Sequence, residues 1–257
     1  RHLLRDELVP EEIEELVAAF QYLRGQEFVD DDRVGFVGFS VGAGLATVAA
    51  ADPRIRDEVT VLGSFGGYYD LFDLIAAVTT QTIAYDSQQE EWEPQLKSVR
   101  VLQRSLIYYA DSAADRDLLT RIFIEEEEAA RGELDGLSPH SRLIFDLLDN
   151  RDPARVEGLF ARLPAADRET LRRLSPSASI DGLRTELFIV HDRHDDLIPY
   201  VESRRLAEGA RGRSPVYYAE LDIFRHVYPT VPANPFTFLA DLIKFFFQAY
   251  RLMLRLS

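Results

Sequence analysis

A chain of 257 residues is long enough for one large domain, or for a core with an inserted subdomain. With 46% hydrophobic and 28% charged residues it has ordinary globular make-up, and a formal charge of −15 argues against general nucleic-acid binding, because phosphate would be repelled. The lack of cysteine excludes disulfides, a thiolate nucleophile and a cysteine-ligated metal, and it leaves the compartment open.

Residues 10–25 open the readable pattern. Ile13, Leu16, Val17, Phe20 and Leu23 recur at helical spacing, with glutamates in the first turn and Gly25 at the end. That predicts an amphipathic helix lying on a sheet face. Asp30, Asp31 and Asp32 follow, and a solvated loop explains them better than a metal site. Val34 to Phe39 is a short apolar run, bounded by charge before it and small residues after it, which fits a fully buried strand. It enters Gly38-Phe39-Ser40-Val41-Gly42, and a Gly/Ala-rich segment to Ala51 then predicts a helix packed close to the sheet. Glu58 to Gly63 predicts another short strand. The glycine-rich stretch from Ser64 to Asp70 is either a pocket border or a plain turn.

From about Leu71 to Leu174 strand signals fade and helical patterns follow one another over residues 92–110, 118–130, 143–148, 156–163 and 165–174. The run Glu125 to Glu128 reads as a solvated helix face, not as an acid/base or metal cluster. Trp92, Tyr108 and Tyr109 are expected in a core more than in a pocket. Leu187 to Val190 is a second buried-strand run, followed by His191 to Tyr200, HDRHDDLIPY. A short helix is predicted over Tyr200 to Ala210 and a third strand over Val216 to Leu221, which leads into Asp222-Ile223-Phe224-Arg225-His226. Pro232 and Pro235 precede a phenylalanine-rich helix over 236–256. It is long enough to suggest a membrane span, but Asp241, Lys244, Gln248, Arg251 and Arg255 interrupt it. A terminal helix packed on the sheet is favoured over interfacial attachment to a lipid surface.

G-x-S-x-G at a strand-to-helix corner is a nucleophile elbow, which lifts the serine oxygen above the sheet on a strained turn. Gly38 and Gly42 are expected to be small because side chains there would crowd that turn. On this motif the sequence resembles the α/β-hydrolase family. The family's chain order is Ser, then Asp or Glu, then His. HDRHDDLIPY resembles its acid-loop pattern H-G-x-x-D-x-x-hydrophobic-Pro, with His191 first, Asp195 as the acid and Pro199 as the proline. Asp192 departs from that pattern, standing where the family usually has glycine. His226, 31 residues beyond Asp195, falls where the family keeps its catalytic base.

The resemblance implies an α/β fold, a mostly parallel sheet flanked by helices. Its core would be residues 1–70 and 175–257, with 71–174 inserted as a helical cap. It implies a serine hydrolase acting on a carboxylic ester or related acyl compound, with peptidase or acyltransferase activity as alternatives and a non-catalytic interaction module as the contrary reading. Ser40 would be the nucleophile, His226 the base, Asp195 the residue that orients the imidazole, and the Val41 N–H an oxyanion donor. Asp196 competes with Asp195 for the acid role, and Asp192 is a third candidate. His140, His191, His194, Ser64 and Ser203 read as surface or structural. Neither a cofactor nor a metal is expected. The family places further strands before the helix at 10–25, and one of the loops there supplies the second oxyanion donor. The chain is therefore expected to be processed, truncated or read from within a longer product, and a separate segment or second chain is expected to complete the sheet beside Val34–Phe39.

Overall fold

The computed structural model describes residues 8–129, 131–226, 228–229 and 234–256. Residues 1–7, assigned to the core from sequence, and Pro232, read as punctuation before the last helix, lie outside them. In chain order the elements are α1 (Glu11–Arg24), β1 (Phe36–Phe39), α2 (Val41–Ala50), β2 (Val61–Phe65), α3 (Leu71–Thr80), β3 (Thr82–Tyr85), β4 (Gln88–Glu91), α4 (Leu96–Tyr108), α5 (Ala113–Phe123) and α6 (Arg131–Asp135). They continue with α7 (Pro139–Leu148), α8 (Val156–Arg162), α9 (Ala165–Arg173), α10 (Pro176–Ser179), β5 (Glu186–Asp192), α11 (Tyr200–Ala210), β6 (Val216–Leu221), β7 (Phe224–Arg225), β8 (Tyr228–Pro229) and α12 (Pro235–Leu256).

The chain divides into two compact units, one of residues 1–9 with Phe72–Leu171, the other of Pro10–Leu71 with Arg172–Ser257. The second contains a four-stranded sheet in the order β1-β2-β5-β6, parallel throughout, with Phe36 beside Leu62, Leu62 beside Leu187 and Leu187 beside Val216. Parallel strands need both faces covered, and the alternation of side chains shows how that is done. On one face Phe36 stacks on Phe20 of α1 at 5.3 Å between ring centres, and Gly38 lies against Ala43 of α2. On the other, Val61 and Phe188 pack with Leu252 of α12, and Val190 packs with Ala219, Leu221 and Phe245. Phe188 stacks on Tyr217 at 4.7 Å.

The expectation that Val34–Phe39 is a strand buried on both faces does not hold. β1 is shorter, lies at the sheet edge, and leaves Val37 47% and Phe39 55% exposed. Apolar residues at alternate positions looked like two buried faces, but α12 reaches β2, β5 and β6 and leaves the same face of β1 uncovered. The sheet-facing stripe of α12 includes buried Asp241 and Gln248. Phe236, Leu239, Ile243, Phe246, Tyr250 and Met253 are exposed at alternating spacings of three and four. Among the described residues no helix is long and apolar enough to cross a membrane.

The other unit is helical apart from one hairpin that the sequence reading missed. β3 and β4 join through Asp86 and Ser87, both at positive φ, 50° and 63°, as a tight two-residue turn requires. Leu8 and Val9 are buried within this unit, not with the sheet as the sequence boundaries had it. The Leu8 N–H donates to Ser105 Oγ at 3.3 Å, and the Tyr109 hydroxyl donates to the Leu8 carbonyl at 3.1 Å. α5 starts earlier than expected because Ser112 caps it, accepting the Asp115 N–H, and it ends at Phe123. Glu125–Glu128 is consequently a loop, not a helix face, and Glu126 and Glu127 pair with Arg100 and Arg121.

Candidate functional site

The three triad candidates, and Gly66 beside them, follow the carboxyl ends of strands in the parallel sheet. Ser40 follows β1, Gly66 follows β2, Asp195 lies beyond β5 and His226 beyond β6. Strand ends of an open parallel sheet are where crevices form, because the connecting chain diverges there.

Ser40 caps α2 with φ 56° and ψ −134°, a conformation unfavourable for a residue with a side chain. The turn is held by the Ser40 N–H donating to the Phe65 carbonyl and by the Ala43 N–H donating to the Ser40 carbonyl, both at 2.9 Å. Gly38 is needed, since a Cβ there would sit 2.5 Å from the Ala43 Cα. Gly42 is not needed for space: nothing lies within 4 Å of where its Cβ would be. Val41, half-buried, is the first residue of α2, so its N–H has no partner four residues back in the helix.

Asp195 and His226 meet directly, Oδ2 to Nδ1 at 2.7 Å, with both side chains almost wholly buried. That contact places a proton on Nδ1 and leaves the Nε2 lone pair available. His226 also has positive φ, 58°. Gly66 lies beside the pair, and its positive φ of 59° suits a glycine; a Cβ there would come within 3.2 Å of Asp195 Oδ2 and 3.4 Å of the His226 ring. Because Ser40 bonds Phe65 and Gly66 abuts His226, β2 links the elbow to the acid–histidine pair. Of the two adjacent acids, Asp195 is the one that meets His226. Its other oxygen accepts the N–H groups of Leu197 and Ile198 at 2.8 and 3.0 Å. Asp196 is half-buried.

Two residues have more to do than their sequence positions suggested. His191, read as surface or structural, is buried at the end of β5, with Nε2 3.1 Å from Asp195 Oδ2 and 3.0 Å from the Ile198 carbonyl, and Nδ1 2.5 Å from Ser203 Oγ. Burial pushes the Asp195 carboxyl up, but hydrogen bonds from His191 and His226 outweigh it and hold the group well below the ordinary value of 3.8. Asp192 is 2% exposed and accepts backbone N–H groups on both oxygens. Its carboxyl is raised, chiefly by burial, against the lowering effect of the Phe224 and His194 N–H groups. The missed signal was the length of β5: hydrogen-bonded pairing continues past the apolar run to Asp192, carrying His191 and Asp192 into the interior.

The remaining candidates are peripheral to this cluster. His194 is exposed and lies 3.5 Å from Asp222. His140 belongs to the helical unit, between Asp111 and Asp167. Ser64 is fully buried within β2. Asp30, Asp31 and Asp32 are exposed with one oxygen of each close together, an arrangement that exposed acidic groups commonly show without holding an ion. A cavity of about 300 Å³ opens between the uncovered face of β1 and α12, with Val37, Phe39, Phe245 and Met253 in its wall and Asp192 and His226 at its border.

No family model and no curated protein matches the sequence. Among solved structures the chain is similar to a Mycobacterium tuberculosis puromycin-hydrolyzing peptidase (16% identity, TM-score 0.47, covering 84% of this chain and 22% of that one). It is also similar to the Pyrococcus horikoshii acylaminoacyl peptidase (14%, 0.47, covering 93% and 27%) and to a meta-cleavage product hydrolase from Pseudomonas fluorescens (19%, 0.38, covering 95% and 73%). The chain thus spans about a quarter of the length of the two peptidases. Its own parallel strand order, with α1 and α2 on one face of the sheet and α12 on the other, is an α/β fold, a mostly parallel sheet flanked by helices.

Proposed function

We propose that the chain carries the catalytic residues of a serine hydrolase that cleaves a carboxylic ester or related acyl compound. The observation that carries this reading is the 2.7 Å contact between His226 Nδ1 and Asp195 Oδ2, combined with Ser40 at φ 56° on the strand-to-helix corner. A serine hydroxyl alone is a weak nucleophile. His226 Nε2 takes its proton as Ser40 Oγ attacks the carbonyl carbon, and Asp195 keeps the ring in the required tautomer while stabilising the imidazolium. The tetrahedral oxyanion accepts the Val41 N–H, an interaction worth about 3 kcal/mol in the transition state. His226 then protonates the leaving group, and water releases the acyl group from Ser40 by the same route in reverse roles. An amide or a transferred acyl group would use the same residues. Reaction with a fluorophosphonate at Ser40, abolished in Ser40→Ala, is the test.

A second reading has its own support. Val37, Phe39 and the exposed stripe of α12 form an uncovered apolar surface, as an interaction module would have. The two readings are compatible if that surface receives a segment completing the sheet along the open edge of β1, supplied from upstream in the same gene product or by a second chain. Such a segment would also bring the second oxyanion donor. Unpaired strand edges invite pairing, and the exposed side chains of β1 supply the apolar contact.

A further inference from the structure

Asp192 occupies the position at which the acid-loop pattern has glycine, and its surroundings give that difference a purpose. Its Oδ1 accepts the N–H of His194, the residue before Asp195, at 2.8 Å. Its Oδ2 accepts the N–H of Phe224, two residues before His226, also at 2.8 Å. A single buried carboxylate therefore joins the loop that carries the acid to the loop that carries the histidine. One backbone bond also runs between the two sides, from the Arg193 N–H to the Leu221 carbonyl at 2.8 Å, while the Asp195 N–H donates to the Asp192 carbonyl within the acid loop and the Asp222 N–H donates to Asp241 Oδ2 of α12. Besides the Asp195–His226 contact and the exposed His194–Asp222 pair, the Asp192 side chain joins the two sides by accepting a backbone N–H from each.

We infer that Asp192 is a positioning residue that fixes the separation of Asp195 and His226 by clipping their two loops together. His226 is the residue that most needs such support, because its positive φ is unfavourable and persists only where neighbours over-determine it. The carboxylate is also hard to replace. Both oxygens are acceptors facing N–H donors, so an amide would keep one bond and bring its own N–H₂ against the other donor. Burial raises the carboxyl, and the Phe224 and His194 N–H groups act against that rise.

The catalytic consequence rests on the serine-hydrolase reading; the clip itself does not. The test therefore has two arms. The low-field imidazole N–H resonance of His226, assigned by its loss in His226→Gln, reports the bond to Asp195 without turnover. In Asp192→Asn and Asp192→Gly this resonance should shift or broaden, with the glycine variant affected more. The rate constant for fluorophosphonate reaction at Ser40 should fall about 10–100-fold, the range a small misplacement of catalytic groups produces. In the unaltered protein the Phe224 and His194 amides should resist hydrogen exchange as well as those of Leu197 and Ile198, a measurement that does not depend on a variant folding. An unchanged resonance in folded variants, or rapid exchange at both amides, overturns the clip. If the wild-type resonance and amide protection are as expected but Ser40 does not react, the serine-hydrolase reading fails and the clip stands.

Discussion

His191 Nε2 lies 3.1 Å from Asp195 Oδ2, on the same oxygen that His226 Nδ1 meets at 2.7 Å. The acid thus sits between two imidazoles, one reaching it from the end of β5 and one from the loop beyond β6. Since Nε2 of His191 faces two acceptors, Asp195 Oδ2 and the Ile198 carbonyl, it must carry a proton, and Ser203 is left to donate to Nδ1. His191→Phe should leave the carboxylate short of a donor. A hydrogen bond to a buried charged group contributes about 1.5–3 kcal/mol, so urea unfolding should show a loss of that size. A loss near zero would mean that Asp195 does not depend on His191.

The low position of the Asp195 carboxyl also sets a pH dependence. Folding lowers this group below its ordinary value of 3.8, so the ionised form stabilises the fold above that pH. The contribution fades as pH falls below 3.8 toward the folded value. Asp192 acts in the opposite sense, because its raised carboxyl makes ionisation unfavourable to the fold. Comparing stability against pH for the parent and Asp195→Asn should show a shallower acid-side decline in the variant. Identical slopes would contradict the assignment.

Activity should distinguish the adjacent acids. Asp195→Asn presents the wrong group to His226 Nδ1, and a loss of about 10⁴-fold in kcat is expected, as for the equivalent change in other triads. Asp196→Asn should cost far less. Equal losses would show that the acid loop has been read one residue out of place.

The uncovered edge makes its own prediction. Residues 1–257 produced alone should be poorly soluble and bind a hydrophobic dye through Val37, Phe39 and α12. Co-production with a segment that pairs with the open edge of β1 should reduce dye binding and raise solubility. A monomeric, soluble and fully active 257-residue product would mean that no such segment is needed.

The parts of the fold written in continuous apolar runs were legible in the sequence. Val216–Leu221 and Tyr200–Ala210 match the observed β6 and α11, and α12 begins one residue earlier than expected. What a run looks like and what covers it are separate matters. Nothing local to Phe36–Phe39 says that a neighbour is lacking on one side, so the exposure of Val37 and Phe39 was not readable. β4 was invisible because Gln88–Glu91 is exposed at all four positions and shows no alternation; its pairing follows from the turn at Asp86 and Ser87. At the site, the resemblance of G-F-S-V-G and HDRHDDLIPY to the family's motifs pointed to Ser40, Asp195 and His226. His191 and Asp192 were not legible, since a polar pair after an apolar run reads alike whether the strand stops or continues inward.

The central claim is that Ser40 is an activated nucleophile. Its most direct measurement is mass-spectrometric mapping of a fluorophosphonate adduct on the folded protein. The account predicts a near-stoichiometric adduct on Ser40, lost on heat unfolding, absent from Ser40→Ala and strongly slowed in His226→Gln. A folded protein in which Ser40 stays unmodified, or reacts equally well after unfolding, would contradict it.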